Sequence, residues 1–180
     1  MGWRRSGRQR RRGAERGQSL LETAIMIPLL LSLAFNAINL GYFWFMVLTL
    51  SAIPRHGAQY ASQGGSALTT TSAPSTTDVS NLVYENLAGA IGASTSNASV
   101  QVCSVSKGVD PTTHVTQCDT FGPSASFPSA PPADPEQPYF ALNRVYVAYT
   151  VRPIIPGTVF GVLLPANMTF YRQVAMRSLY

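Results

Sequence analysis

The stretch from Arg16 to Leu50 reads RGQSLLETAIMIPLLLSLAFNAINLGYFWFMVLTL, and what it forms decides what the rest of the chain can be. After Glu22 no charged side chain occurs until Arg55, so residues 23–54 are uncharged throughout. Ile, Leu, Phe, Met and Trp dominate Ala24 to Leu50. A helix needs about 20 apolar residues to cross a bilayer, whose hydrocarbon core is roughly 30 Å thick. At about 1.5 Å per residue the uncharged stretch reaches roughly 45–50 Å, so part of it is expected to project beyond the lipid. Pro28 removes one backbone donor early in the helix and is expected to kink it. Tyr42, Phe43, Trp44 and Phe45 read as an interfacial aromatic belt at the far end. The most polar point is the pair Asn36 and Asn39, three apart and therefore on one side of a helix. Two readings stay open for this pair: amides tolerated near mid-membrane, or amides facing another helix.

Charge supplies the orientation. The 180-residue chain carries a formal charge of +5, with 46% apolar and only 12% charged residues. The charged share is about half the roughly 25% typical of globular chains. Arg4, Arg5, Arg8, Arg10, Arg11, Arg12 and Arg16 face one acid, Glu15, before the apolar stretch; from Gly17 onward the balance is −1. The basic character belongs to a tail, whereas a folded nucleic-acid binder would carry a basic face on its body. Arginines just before a span place that end in the cytoplasm and everything after about Ser51 outside. A secretory signal peptide fits poorly, because the apolar stretch exceeds a 7–15-residue h-region and no A-x-A site closes it. Arg4-Arg5 lacks the surrounding pattern of a twin-arginine signal. The expectation is a single-pass protein with its C-terminal part exported.

The junction of tail and span is Arg16-Gly17-Gln18-Ser19-Leu20-Leu21-Glu22. A basic leader, a glycine, four residues and a glutamate precede the hydrophobic helix. An acid in the first helical turn is favoured by the helix dipole by roughly 0.3–1 kcal/mol whatever its function. The whole arrangement, however, resembles the processing site of type IV pilin-like proteins, which a membrane-embedded prepilin peptidase cuts after the glycine. A small residue lets the backbone enter a protease site at the membrane surface, and the cut removes the arginines while keeping the helix. The resemblance implies a scissile bond between Gly17 and Gln18. It also implies that Glu22, the only acid between the new terminus and Asp78, pairs with the terminal amine of a neighbouring subunit.

Gly17 to Glu22, followed by Ala24, Pro28 and Leu29-Leu30-Leu31, looks like the N-terminal signature of TadE-like pseudopilins. Asn39-Leu40-Gly41-Tyr42-Phe43 and Arg55-His56-Gly57-Ala58-Gln59-Tyr60-Ala61 are similar to further family segments, and Ala175-Met176-Arg177 resembles the closing strand. The resemblance covers residues 16–64, with a looser echo at 139–177. It implies a minor, pilin-like subunit of the tight-adherence (Tad/Flp pilus) apparatus of a bacterial inner membrane, acting in adhesion, secretion and biofilm formation. Thr23 stands where major Flp pilins carry an aromatic residue, and the chain is much longer than theirs; both favour a pseudopilin. Pro54 interrupts a segment that is continuously helical in the family, so a break or bend is expected there.

Residues 62–77, rich in Ser, Thr and Gly, read as a linker without hydrophobic period. A short helix is expected from Asp78, which can cap it, with Val79, Leu82, Val83, Leu87 and Ile91 on one face. Gly89 and Gly92 mark its end. Strands are expected at 98–106, at 143–151 (Val145, Val147, Tyr149 and Val151 on one face) and at 167–177. Between the last two, Pro153-Ile154-Ile155-Pro156-Gly157 and Val159 to Leu164 form an apolar loop that either packs the sheet or touches the membrane surface or a partner. Six prolines crowd residues 121–138, which read as an extended surface loop. Cys103 and Cys118 are the only cysteines, and in an oxidising compartment they are expected to form one disulfide worth about 3 kcal/mol. With His114 between them, His56 far off and no C-x-x-C, a metal site lacks ligands. No nucleotide loop, zinc helix or nucleophile elbow occurs, so no catalytic residue, cofactor or small-molecule substrate is expected.

The fold class expected is α+β: a long N-terminal transmembrane helix and a small exported head with a short helix and an antiparallel sheet of about three strands. The boundaries are 1–17 for a cleaved cytoplasmic leader, 18–61 for the pilin-like helix, 62–77 for the linker and 78–180 for the head. Expected partners are prepilin peptidase, other pilin-like subunits, Tad assembly proteins and membrane lipid, without nucleic acid. Two other classes compete. An uncleaved signal-anchored periplasmic binding module would tolerate a bulky residue at Gly17 and alanine at Glu22. An anchored periplasmic hydrolase would show activity and a polar pocket.

Overall fold

Leu, Ala, Ile and Met fill the N-terminal third, and they form one helix, α1 (Gly7–Ala61), of 55 residues. The computed structural model describes residues 7–63, 72–90, 94–123, 125–128, 130–155 and 167–179, with side chains from Gln18 onward. The first six residues of the expected leader, residues 64–71 of the expected linker, Ile91, Gly92 and the apolar run 156–166 lie outside the described residues. α1 continues through both Pro28 and Pro54, so the break expected at Pro54 is absent. An interior proline costs a helix about 3 kcal/mol or more. Packing offsets this at Pro54, because Ile53, Pro54, Gly57, Ala58 and Ala61 are all buried along one stripe.

The chain divides into two units, Met1–Tyr42 with Pro153–Ala166, and Phe43–Arg152 with Asn167–Tyr180. In the first unit the helix is exposed from Gln18 to Leu31 and apolar all round from Ala24 to Leu31. Such a helix is built for an apolar surrounding rather than for one side of a globule. From Gln18 onward α1 is long and apolar enough to cross a membrane. The chain is a membrane-anchored protein with one long N-terminal apolar helix and a small α+β domain.

The second unit begins inside the helix. Met46, Leu50 and Ile53 are at most 4% exposed and belong to the core of the small domain. Each contributes about 1.5–3 kcal/mol by leaving water. The helix therefore serves the domain as well as the anchor, and about 25 residues, or roughly 37 Å, remain between Gln18 and Tyr42.

The domain's own helix, α2 (Thr76–Ala88), buries Val79, Val83 and Leu87. Its cap is Ser75, not Asp78: the Ser75 hydroxyl accepts from the Asp78 amide at 3.1 Å, and the Asp78 carboxylate accepts from the Ser75 amide at 3.3 Å. Asp78 is thus the third helical residue of a capping box. The sheet has four antiparallel strands in the order β2-β1-β3-β4, where β1 is Ala98–Cys103, β2 Cys118–Phe121, β3 Phe140–Val151 and β4 Met168–Leu179. β2 has only four residues and no alternation, which left it unread in the sequence. β1 stops at Cys103 because Ser104 to Lys107 turns the chain back, closed by the Lys107 amide donating to the Ser104 carbonyl at 3.1 Å.

One face of the sheet meets the helices. Val100, Val102, Val145, Val147 and Tyr149 are buried there, and a Cβ on Gly57 would lie 2.8 Å from Val83 and 3.3 Å from Val145. The other face carries Gln101, Arg144 and Tyr146, and the proline-rich segment covers it. Phe127 packs edge-on against Tyr146 with ring centroids 5.1 Å apart, and the Pro128 carbonyl accepts from Arg144 at 3.0 Å. The Pro123 carbonyl accepts from the Ser99 hydroxyl. Asp134, fully buried, pairs with Arg177 at 2.8 Å. The described residues of 122–138 form a loop without helix or strand, mostly exposed, that lays Phe127, the Pro128 carbonyl and Asp134 against this face. That is why all six β1 residues are buried.

Candidate functional site

The junction motif lies wholly within α1, so the Gly17–Gln18 peptide has helical backbone. Gln18 to Leu31 are all exposed, Leu20 and Leu21 at 73% and 65%. Glu22 sits among them as the one charge of an otherwise apolar helical surface. Among the described residues nothing donates to its carboxylate. Thr23 next to it is turned inward on the backbone, its hydroxyl donating to the Ser19 carbonyl at 2.9 Å. A lone carboxylate on a surface made for lipid is unfavourable unless a group from outside the chain meets it.

The two asparagines diverge. Asn36 donates to the Ser32 carbonyl one turn back at 2.8 Å and is half-buried. Asn39 is 1% exposed, and its amide closes a two-bond ring with one distant residue. Nδ2 donates to the Ile155 carbonyl at 2.9 Å, and the Ile155 N–H donates to Oδ1 at 3.0 Å. Asn39 therefore holds a segment of its own chain, 116 residues away, in place of the second helix its spacing had offered as a partner. No spacing rule links positions so far apart.

The remaining chemistry is in the domain. Cys103 and Cys118 face each other across β1 and β2 and are joined by a disulfide. The Arg144 guanidinium lies beside it: Nη2 donates to Gln101 Oε1 at 2.9 Å and lies 3.7 Å from Cys103 Sγ. Burial pushes the Arg144 pKa down. Asp119, next to the disulfide, takes the Lys107 ammonium at 2.8 Å and the Thr76 hydroxyl at 2.6 Å. Lys107 first, and Thr76 after it, hold the Asp119 carboxyl below the usual range. A polar cleft of about 420 Å³ opens on the outer face, lined among others by Asn97, Thr150, Arg152, Asn167 and Tyr171. Its described lining offers hydrogen-bonding groups and one guanidinium, with no carboxylate, histidine or thiol. Among the described residues no three His, Cys, Asp or Glu side chains gather as a metal site would need.

No family model, curated protein or solved structure matches this chain. Its functional residues must therefore be argued from its own geometry. The sequence singled out Gly17, Glu22, Asn39 and the cysteines. It missed Arg144, whose place on the polar side of an alternating strand reads as solvent-facing until the covering segment is seen. It also missed Asp134, whose only signal was an acid among prolines.

Proposed function

We propose that the protein is a TadE-like pseudopilin, a membrane-anchored minor pilin-like subunit that a prepilin peptidase cuts after Gly17. In this reading the basic leader stays in the cytoplasm, the small domain is exported, and the mature helix packs among other pilin-like helices during assembly of the Tad/Flp pilus. The resemblance over residues 16–64 carries the reading, and the observation that supports it most is Glu22. Among the described residues its carboxylate has no partner, and it is the fifth residue of the proposed mature chain, on a stretch of helix whose described residues 18–31 are all exposed. Cleavage would create an α-amine at Gln18, and the same amine on a neighbouring subunit is the partner such a carboxylate needs. The work of this chain is then packing and one charge pair.

Two substitutions separate this from a tethered module that is never cut. Replacing Gly17 with a bulky residue (Gly17→Phe) is expected to leave the precursor uncut in cells that hold the peptidase. Glu22→Ala is expected to be cut normally but to lose co-purification with the other pilin-like subunits. Unchanged processing in the first and unchanged partners in the second would remove the proposal.

A further inference from the structure

Arg144 is 6% exposed, and arginine is almost never buried unless paired. Its Nη2 donates to neutral acceptors, the Gln101 side chain at 2.9 Å and the Pro128 carbonyl at 3.0 Å. The Tyr146 ring centre lies 5.9 Å from the guanidinium carbon. Among the described residues no carboxylate pairs with Arg144, and its buried Nε has no hydrogen-bond partner. A positive charge is therefore held against the sheet without an anion. The remaining neighbour is Cys103 Sγ, 3.7 Å from Nη2.

The disulfide is asymmetric in the same direction. Cys103 is fully buried on β1, between β2 and β3, so its sulfur is closed to an incoming thiol. Cys118 is half-buried on β2, an edge strand with no described strand beyond it. Thiol–disulfide exchange places the attacking, attacked and leaving sulfurs nearly in line, and it is faster the more acidic the leaving thiol. Approach from beyond β2 meets Cys118 first, with Cys103 behind it. An arginine beside a thiol favours its thiolate, and burial strengthens that attraction. Asp119, next to Cys118 in sequence, has its charge offset by Lys107 at 2.8 Å.

We propose that the Cys103–Cys118 bond is a thiol-exchange site, attacked at Cys118 by a small-molecule thiolate and opened against Arg144. The incoming thiol gives its proton to solvent and its sulfur bonds to Cys118 Sγ. The Cys103–Cys118 bond breaks, and its electron pair leaves on Cys103 as a thiolate paired with the guanidinium. One S–S bond replaces another, so no further oxidant or reductant is needed. The inference stands apart from the pilin reading and from the membrane span.

The test uses the folded full chain in mild detergent at neutral pH. Glutathione is added, acid stops the reaction, and peptic peptides are read by mass spectrometry. Glutathione is expected on Cys118, with a free thiol on Cys103. In a second arm dithiothreitol opens the bond, and alkylation of the freed thiols gives the rate. Arg144→Met is expected to open roughly three- to tenfold more slowly than the native chain. The sign separates this from a purely structural role, because losing buried hydrogen bonds loosens the fold and speeds any opening that runs through unfolding. Glutathione shared equally by both cysteines, a bond that opens only in denaturant, or an Arg144→Met chain that opens as fast as the native one or faster would each overturn the proposal.

Discussion

Gly57→Ala should destabilise this protein, although the same change in most helices does the opposite. On an exposed helical surface the exchange gains about 1 kcal/mol, because glycine loses more backbone freedom on folding. Here a Cβ would come 2.8 Å from Val83 Cγ2 and 3.3 Å from Val145 Cγ1. Both neighbours are fully buried, and both are β-branched with restricted χ1. Overpacking of this kind costs about 1–3 kcal/mol. After the propensity gain is subtracted, a net loss of about 0–2 kcal/mol is expected. The assay is denaturant unfolding of the full chain in mild detergent, followed by near-ultraviolet circular dichroism. Val83→Ala supplies the control. It is destabilising by itself, but it removes the nearest clash, so Gly57→Ala in that background should turn close to neutral or stabilising. The coupling between the two sites should be about 1–2 kcal/mol. Gly57→Ala that stabilises the otherwise native chain, with no coupling to Val83, would refute the close approach of α1 to α2 and β3.

Three other outcomes follow from the domain. Joint replacement of Cys103 and Cys118 by alanine should cost about 3 kcal/mol in the same unfolding assay; equal stability with and without reductant would show that the staple contributes nothing. Arg144→Ala leaves the Gln101 side chain and the Pro128 carbonyl buried without their donor and should cost about 2–4 kcal/mol, with Arg144→Met milder because it keeps the volume. An Arg144→Met variant as stable as the native chain would contradict the polar role. Asp119 has its carboxyl held below the usual range, so the contribution is complete above the ordinary carboxylate pKa of about 3.9 and fades as pH falls through the lower folded value. Asp119→Asn should flatten that acid limb of the stability profile, and an unchanged limb would count against the tie from Lys107 and Thr76.

Most of the architecture was legible because it rests on local signals. The uncharged run after Glu22 announces a helix whatever surrounds it, and the alternation around Val145 announces β3. What was not legible depends on pairings distant in sequence. β2 exists because Cys118 to Phe121 pair with β1, not because those four residues favour a strand. The proline-rich segment has no period of its own, and its role appears only once Phe127, the Pro128 carbonyl and Asp134 are seen on the sheet. Pro54 read as a break because a proline weakens an isolated helix; burial of the same residue keeps the helix whole. The same division holds at the site. Glu22 stands out as a single acid in an apolar tract, whereas the tie between Asn39 and Ile155 spans most of the chain.

The most direct test of the proposed function is the mass of the mature N-terminus, measured by mass spectrometry in cells with and without the host's prepilin peptidase. Mass spectrometry is preferred to Edman chemistry because a new terminal Gln18 can cyclise and block sequencing. The account requires a chain that starts at Gln18 when the peptidase is present and keeps its arginine-rich leader when it is absent. A leader that persists beside an active peptidase would contradict it and leave an uncut, tethered domain as the better description.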